Sequence, residues 1–104
     1  MVKTVLLVPK ANNDGRAFGP GVWGQLEERL LRWGGLSREA DVDGWWVSDG
    51  KTYSDRSRRY VVALPSWRDL AAWLEVVDWA RVAFGQHAMF VEVAGIPEVL
   101  GASE

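Results

Sequence analysis

Ser66-Trp-Arg-Asp-Leu-Ala-Ala-Trp-Leu-Glu-Val-Val-Asp-Trp-Ala-Arg-Val-Ala-Phe84 is the stretch whose reading decides the fold. At about 100° per residue, Trp67, Leu70, Trp73, Leu74, Val77, Ala80 and Phe84 gather on one face with Arg68 and Glu75 opposite, the pattern of an amphipathic helix laid on a sheet. Pro65-Ser66 supplies a strand stop and an N-cap, Asp69 stands where a capping-box acid reaches back, and Gly85 ends the helix. Trp79 falls outside the core face, on a weaker apolar strip with Ala72, Val82 and Ala83 that is expected to meet a partner.

Strand patterns lie on both sides of this helix. Tyr60-Val-Val-Ala-Leu64 precedes it and Ala88-Met-Phe-Val-Glu-Val93 follows it, with Gly95-Ile-Pro97 opening a short tail. Upstream, Gly44-Trp-Trp-Val47 and Thr52-Tyr53 flank Ser48-Asp49-Gly50-Lys51, a hairpin signal. The polar run Ser54 to Arg59 suits a strand that extends past its neighbours or bulges, and Leu36 to Asp43 is ambiguous. Thr4-Val-Leu-Leu-Val8, ended by Pro9, reads as a strand covered on both faces. Between them, Pro20 to about Trp33 forms a first helix with Val22, Trp23, Leu26, Leu30 and Trp33 on its core face, stopped by Gly34-Gly35. The order β-α-β-β-α-β predicts one ferredoxin-like α+β domain over residues 1–104: four antiparallel strands with two helices on one face. Right-handed crossovers place the first and third strands at the centre and the second and fourth at the edges. Core packing is expected of Trp23, Trp33, Trp67 and Trp73.

The sheet face turned away from the helices is then bare. Val5 to Val8 and Val61 to Leu64 do not alternate with polar residues, so one apolar set points outward, with Phe90 joining it if Glu92 faces out. A second copy stacked sheet on sheet, a homodimer, covers such a face with one self-matching surface.

Composition excludes several classes. The chain of 104 residues is 48% hydrophobic and 25% charged, the balance of a soluble globular protein, and it is tryptophan-rich with seven. A net charge of −2 gives no global footprint for nucleic acid or an anionic membrane. No cysteine is present, which removes thiol nucleophiles, thiolate metal sites and disulfides. No apolar run reaches spanning length, and a cytoplasmic location is expected.

The apolar strand ending in Pro9, the Asn13-Asp14-Gly15 loop, the Trp-bearing helix closing on Gly34-Gly35, Gly44-x-Trp46, the Asp49-Gly50 turn and Phe84-Gly-Gln86 occur in one order over most of the chain. In this the sequence resembles a family of small uncharacterised bacterial proteins. The resemblance implies a compact stand-alone domain and brings no activity or catalytic residues with it.

Candidate chemistry is sparse. His87 is the single histidine, so a histidine-pair metal site is excluded, and no nucleophile-elbow pattern accompanies it. His87 and Asp55 are the candidates for proton transfer. Asn12-Asn-Asp-Gly15 with Asp41, Asp43, Asp49 and Asp55 lacks the ladder of a calcium loop, so no metal is expected. The glycines ahead of the first helix could receive an anion with Arg16, but no phosphate-loop or dinucleotide fingerprint is present and no cofactor is expected. Trp45, Trp46, Arg58, Arg59 and Tyr60 form the candidate ligand-binding set. Trp79 and Phe90 are the interface candidates. The first functional expectation is a non-catalytic, self-associating module. The alternative is a small-molecule-binding protein or enzyme with a site between sheet and helices. Single-stranded nucleic-acid binding is a further alternative, opposed by the missing RNA-recognition motif and the acidic total.

Overall fold

Val2, Thr4, Leu6 and Val8 alternate along the first strand and are all buried, and this side of the strand is where the helices pack. The computed structural model describes residues 1–101. Its elements are β1 (Val2–Pro9), α1 (Pro20–Leu30), a 3₁₀ turn (Leu31–Trp33), β2 (Ser37–Ser48), β3 (Lys51–Leu64), a second 3₁₀ turn (Trp67–Asp69), α2 (Leu70–Ala83), β4 (Ala88–Val93) and β5 (Ile96–Gly101). The strands form one antiparallel sheet in the order β2-β3-β1-β4-β5. Trp23, Leu26 and Leu30 of α1 join Trp73, Val76, Val77 and Ala80 of α2 in a single core on one sheet face. No helix among the described residues is long and apolar enough to cross a membrane.

The sheet has five strands where the sequence pattern predicts four. Ala94 and Gly95, both at positive φ (52° and 81°), turn the chain directly back, and Ile96 to Gly101 pairs with Val93 to Ala88. The stretch expected to be a tail is therefore an edge strand, and β4 is internal. Pro97 lacks an N–H, and an edge position is where a strand tolerates that loss.

Two expectations about helix ends are also corrected. Trp67 is 60% exposed because residues 67–69 form a 3₁₀ turn, whose tighter winding breaks the phase of the helix that follows. Trp33 lies in the other 3₁₀ turn and is half-buried for the same reason. Ser66 does cap, its hydroxyl accepting the Arg68 N–H at 3.0 Å, but the Asp69 side chain makes no capping bond. Trp73 is fully buried, and its indole N–H is the buried side-chain polar atom left without a partner among the described residues.

The opposite sheet face has no helix. Val5 is buried at its centre, Leu7, Val61 and Phe90 are half-buried around it, and Val99 is exposed. The β1–β3 ladder ends at Pro9 opposite Ser57, whereas β2 and β3 continue pairing to Ser48 and Lys51. The hairpin thus runs past the body as a two-stranded arm, closed by Asp49 and Gly50 at φ 50° and 75°.

Candidate functional site

Strand alternation sorts the candidates of β3 onto two faces. Arg56, Arg58 and Tyr60 lie on the helix side with Val62 and Leu64; Tyr53, Asp55 and Arg59 lie on the open side with Val61. The set Trp45, Trp46, Arg58, Arg59 and Tyr60 is therefore divided by the sheet and does not converge.

On the helix side, Tyr60 is 1% exposed and its hydroxyl donates to Glu27 Oε2 at 2.6 Å. Arg58 Nη1 donates to the same oxygen at 3.2 Å and to the Tyr60 hydroxyl at 3.3 Å, while Arg38 Nη1 stands 3.6 Å from it. The Arg58 guanidinium lies 4.0 Å above the centre of the Trp23 ring. Glu27 reaches this place because it lies one turn after Trp23 on α1, at the border of the core face, where its carboxylate is still partly open to water. Burial pushes the Tyr60 phenol up to about 12, the hydrogen bond to Glu27 adds to the rise, and Arg58 opposes it. The group that results is a protonated phenol and a guanidinium fixed on one carboxylate. Trp23, Phe18 and Phe84 form an aromatic wall beside it, with ring centroids 4.8 Å apart for both Phe84 pairs.

The arm carries a second group. Trp46 and Tyr53 are stacked at 4.5 Å with 17° between their planes, and the Trp46 indole N–H donates to Asp55 Oδ2 at 2.8 Å. Asp55 is thus held by an indole. Trp45 projects from the other side of the arm and is 71% exposed, next to exposed Val47. At the arm's root, Lys10 Nζ donates to Asp41 Oδ2 at 2.8 Å, and Arg56 reaches Asp41 at 3.5 Å and Asp43 at 3.3 Å. The Lys10 hydrogen bond holds the Asp41 carboxyl below its ordinary value, against desolvation, with help from the charge of Lys10 and from the hydrogen bond and charge of Arg56.

On the open face, Arg59 Nε donates to Glu39 Oε1 at 2.6 Å. Arg56, Arg58 and Arg59 are each paired with carboxylates and fall on both faces, so they form no continuous basic track for a nucleic-acid strand. His87 is exposed just ahead of β4 and bonds to no side chain among the described residues. Phe90 lies on the open face, and Trp79 is half-buried with the Arg29 guanidinium 3.8 Å over its ring. Sequence reading missed Glu27, the centre of the buried cluster. The available signal was its i+4 spacing from Trp23. Two shallow clefts, of 260 Å³ between α1 and α2 and 200 Å³ between α2 and β5, are lined by residues other than Tyr60, Glu27 and Arg58.

No protein-family model matches the sequence, and the search of curated proteins finds no match. The chain is similar to solved structures of phage SAM lyase. A phage SAM lyase in the apo state superposes with a TM-score of 0.73 at 16% identity, over 99% of this chain and 90% of that one. A phage SAM lyase in complex with S-methyl-5'-thioadenosine gives a TM-score of 0.73 at 16% identity, over 97% of this chain and 89% of that one. At this identity the likeness is one of fold. It corrects the first functional expectation: an enzyme holding a small molecule is built on this architecture along nearly the whole chain, which displaces a non-catalytic self-associating module and favours the small-molecule alternative.

Proposed function

We propose that the chain is a small-molecule-binding enzyme whose site is the seam between β3 and α1, and that its ligand belongs to the adenosyl-sulfur compounds. One observation carries this reading: Tyr60, Glu27 and Arg58 meet within 2.6 to 3.3 Å of one another at the sheet–helix boundary, in a domain whose core needs none of these charges. The solved neighbour's ligand, S-methyl-5'-thioadenosine, supports the choice of ligand class.

The chemistry suits the group. In S-adenosylmethionine the sulfur is a cation. When the substrate's own carboxylate oxygen attacks the γ-carbon of the aminobutyrate chain, a C–O bond forms as the C–S bond breaks: the chain closes to a lactone and the electron pair leaves on sulfur as a neutral thioether, so the leaving group needs no proton. What the protein supplies is a fixed geometry, with a carboxylate that holds the sulfonium in place. Glu27 supplies the carboxylate, and Tyr60 and Arg58 fix it.

The Trp46–Tyr53 stack lies on the opposite face of the sheet from Tyr60 and seven residues along β3, roughly 23 Å at strand rise, so it does not share a ligand with the seam. The apolar open face around Val5, Leu7, Val61 and Phe90 is the surface through which a second copy of the chain would meet this one.

Incubation with S-adenosylmethionine, with chromatography of the products, tests the proposal. S-methyl-5'-thioadenosine should be released, and Glu27→Gln should slow its release by about 100-fold through loss of the substrate's fixed position. Turnover that is indifferent to Glu27→Gln and Tyr60→Phe would place the site elsewhere. The absence of both turnover and binding would overturn the reading.

A further inference from the structure

The arm has little to fix its angle to the body. Beyond the Pro9–Ser57 pair, β2 and β3 have only each other as ladder partners. At that level β2 shifts register between Glu39 and Val42, leaving Ala40 and Asp41 in a bulge, the kind of irregularity that bends a strand pair and increases its twist. The bulge is clamped from outside. Lys10, on the segment that leaves β1, donates to Asp41 Oδ2 at 2.8 Å, and its backbone N–H donates to the Arg56 carbonyl at 2.9 Å. Arg56 then bridges Asp41 and Asp43 at 3.5 and 3.3 Å. Lys10 is the body's contribution, and Asp41, Asp43 and Arg56 are the arm's.

We propose that Asp41 is a positioning residue: its pairing with Lys10 pins the bulge and so sets where the arm, with Trp45, Trp46 and Tyr53, stands relative to the body. The arm extends about seven residues beyond Ser57, roughly 23 Å, so a tilt of about 20° at the bulge moves the tip by about 8 Å.

The chain has no cysteine, so spin labels at Lys51→Cys in the turn and Glu28→Cys on the exposed side of α1 report one distance by pulsed electron paramagnetic resonance. The parent should give one narrow distance distribution. Asp41→Asn should broaden it, and Lys10→Met, which removes the body's partner and leaves Asp41 its pairing with Arg56, should broaden it likewise. A distribution that stays narrow in Asp41→Asn overturns the proposal, as does one that broadens in Asp41→Asn but stays narrow in Lys10→Met, which would assign the effect to the Arg56 pairing within the arm.

Discussion

Tyr60 offers a test that isolates one group, because the chain contains only two tyrosines. With Tyr53→Phe in place, Tyr60 is the sole phenol and its ionisation can be followed by tyrosinate absorbance while tryptophan fluorescence tracks the folded state. The expected midpoint is about 12, raised from 10.0 first by burial and then by the bond to Glu27. Because the folded value lies above the unfolded one, the contribution to stability is complete below about pH 10 and is lost as pH rises through about 12. A rise from 10.0 to about 12 corresponds to roughly 3 kcal/mol. Denaturant unfolding between pH 9 and 12, on the order of one measurement per half unit, should show that loss in the parent and lack it in Tyr60→Phe. Glu27→Gln should lower the midpoint and Arg58→Leu should raise it, since the first removes an influence that raises it and the second one that lowers it. A midpoint near 10 in the folded Tyr53→Phe protein would refute the burial and the hydrogen bond together.

Other perturbations act on separate parts of the account. Trp73→Ala empties the largest fully buried position and should cost about 3–5 kcal/mol in denaturant unfolding. Ser66→Ala removes the hydroxyl that accepts the Arg68 N–H and should cost about 1 kcal/mol in the same assay. Phe90→Glu puts a charge at the middle of the open sheet face; light scattering should find the parent as an assembly and this variant at the mass of a single chain.

What could be read from the residues was local. Asp49-Gly50 names a turn that needs two positive φ angles, and both are present. The helix periodicities of Trp23, Leu26 and Leu30 and of Trp73, Val77 and Ala80 select the residues that enter the core. The fifth strand was hidden by Pro97, which argues against a strand until an edge position is known, and by the brevity of the Ala94-Gly95 turn. Trp67 was misplaced because a 3₁₀ start cannot be told from an α-helical one by spacing. The cluster was least legible. Glu27 lies 33 residues from Tyr60 and 31 from Arg58, and only the packing of α1 on β3 brings them together. The separation of Arg58 from Arg59 is a matter of register, which a run of polar residues does not encode.

The central claim is that the Tyr60–Glu27–Arg58 seam receives an adenosyl-sulfur ligand. Titration of S-methyl-5'-thioadenosine into labelled protein, followed by nuclear magnetic resonance of the indole N–H and arginine side-chain signals, tests it directly. The account predicts saturable shifts at Trp23 and Arg58 that are lost in Glu27→Gln. Saturable shifts confined to the α1–α2 cleft around Trp79, or no shifts anywhere, would contradict it.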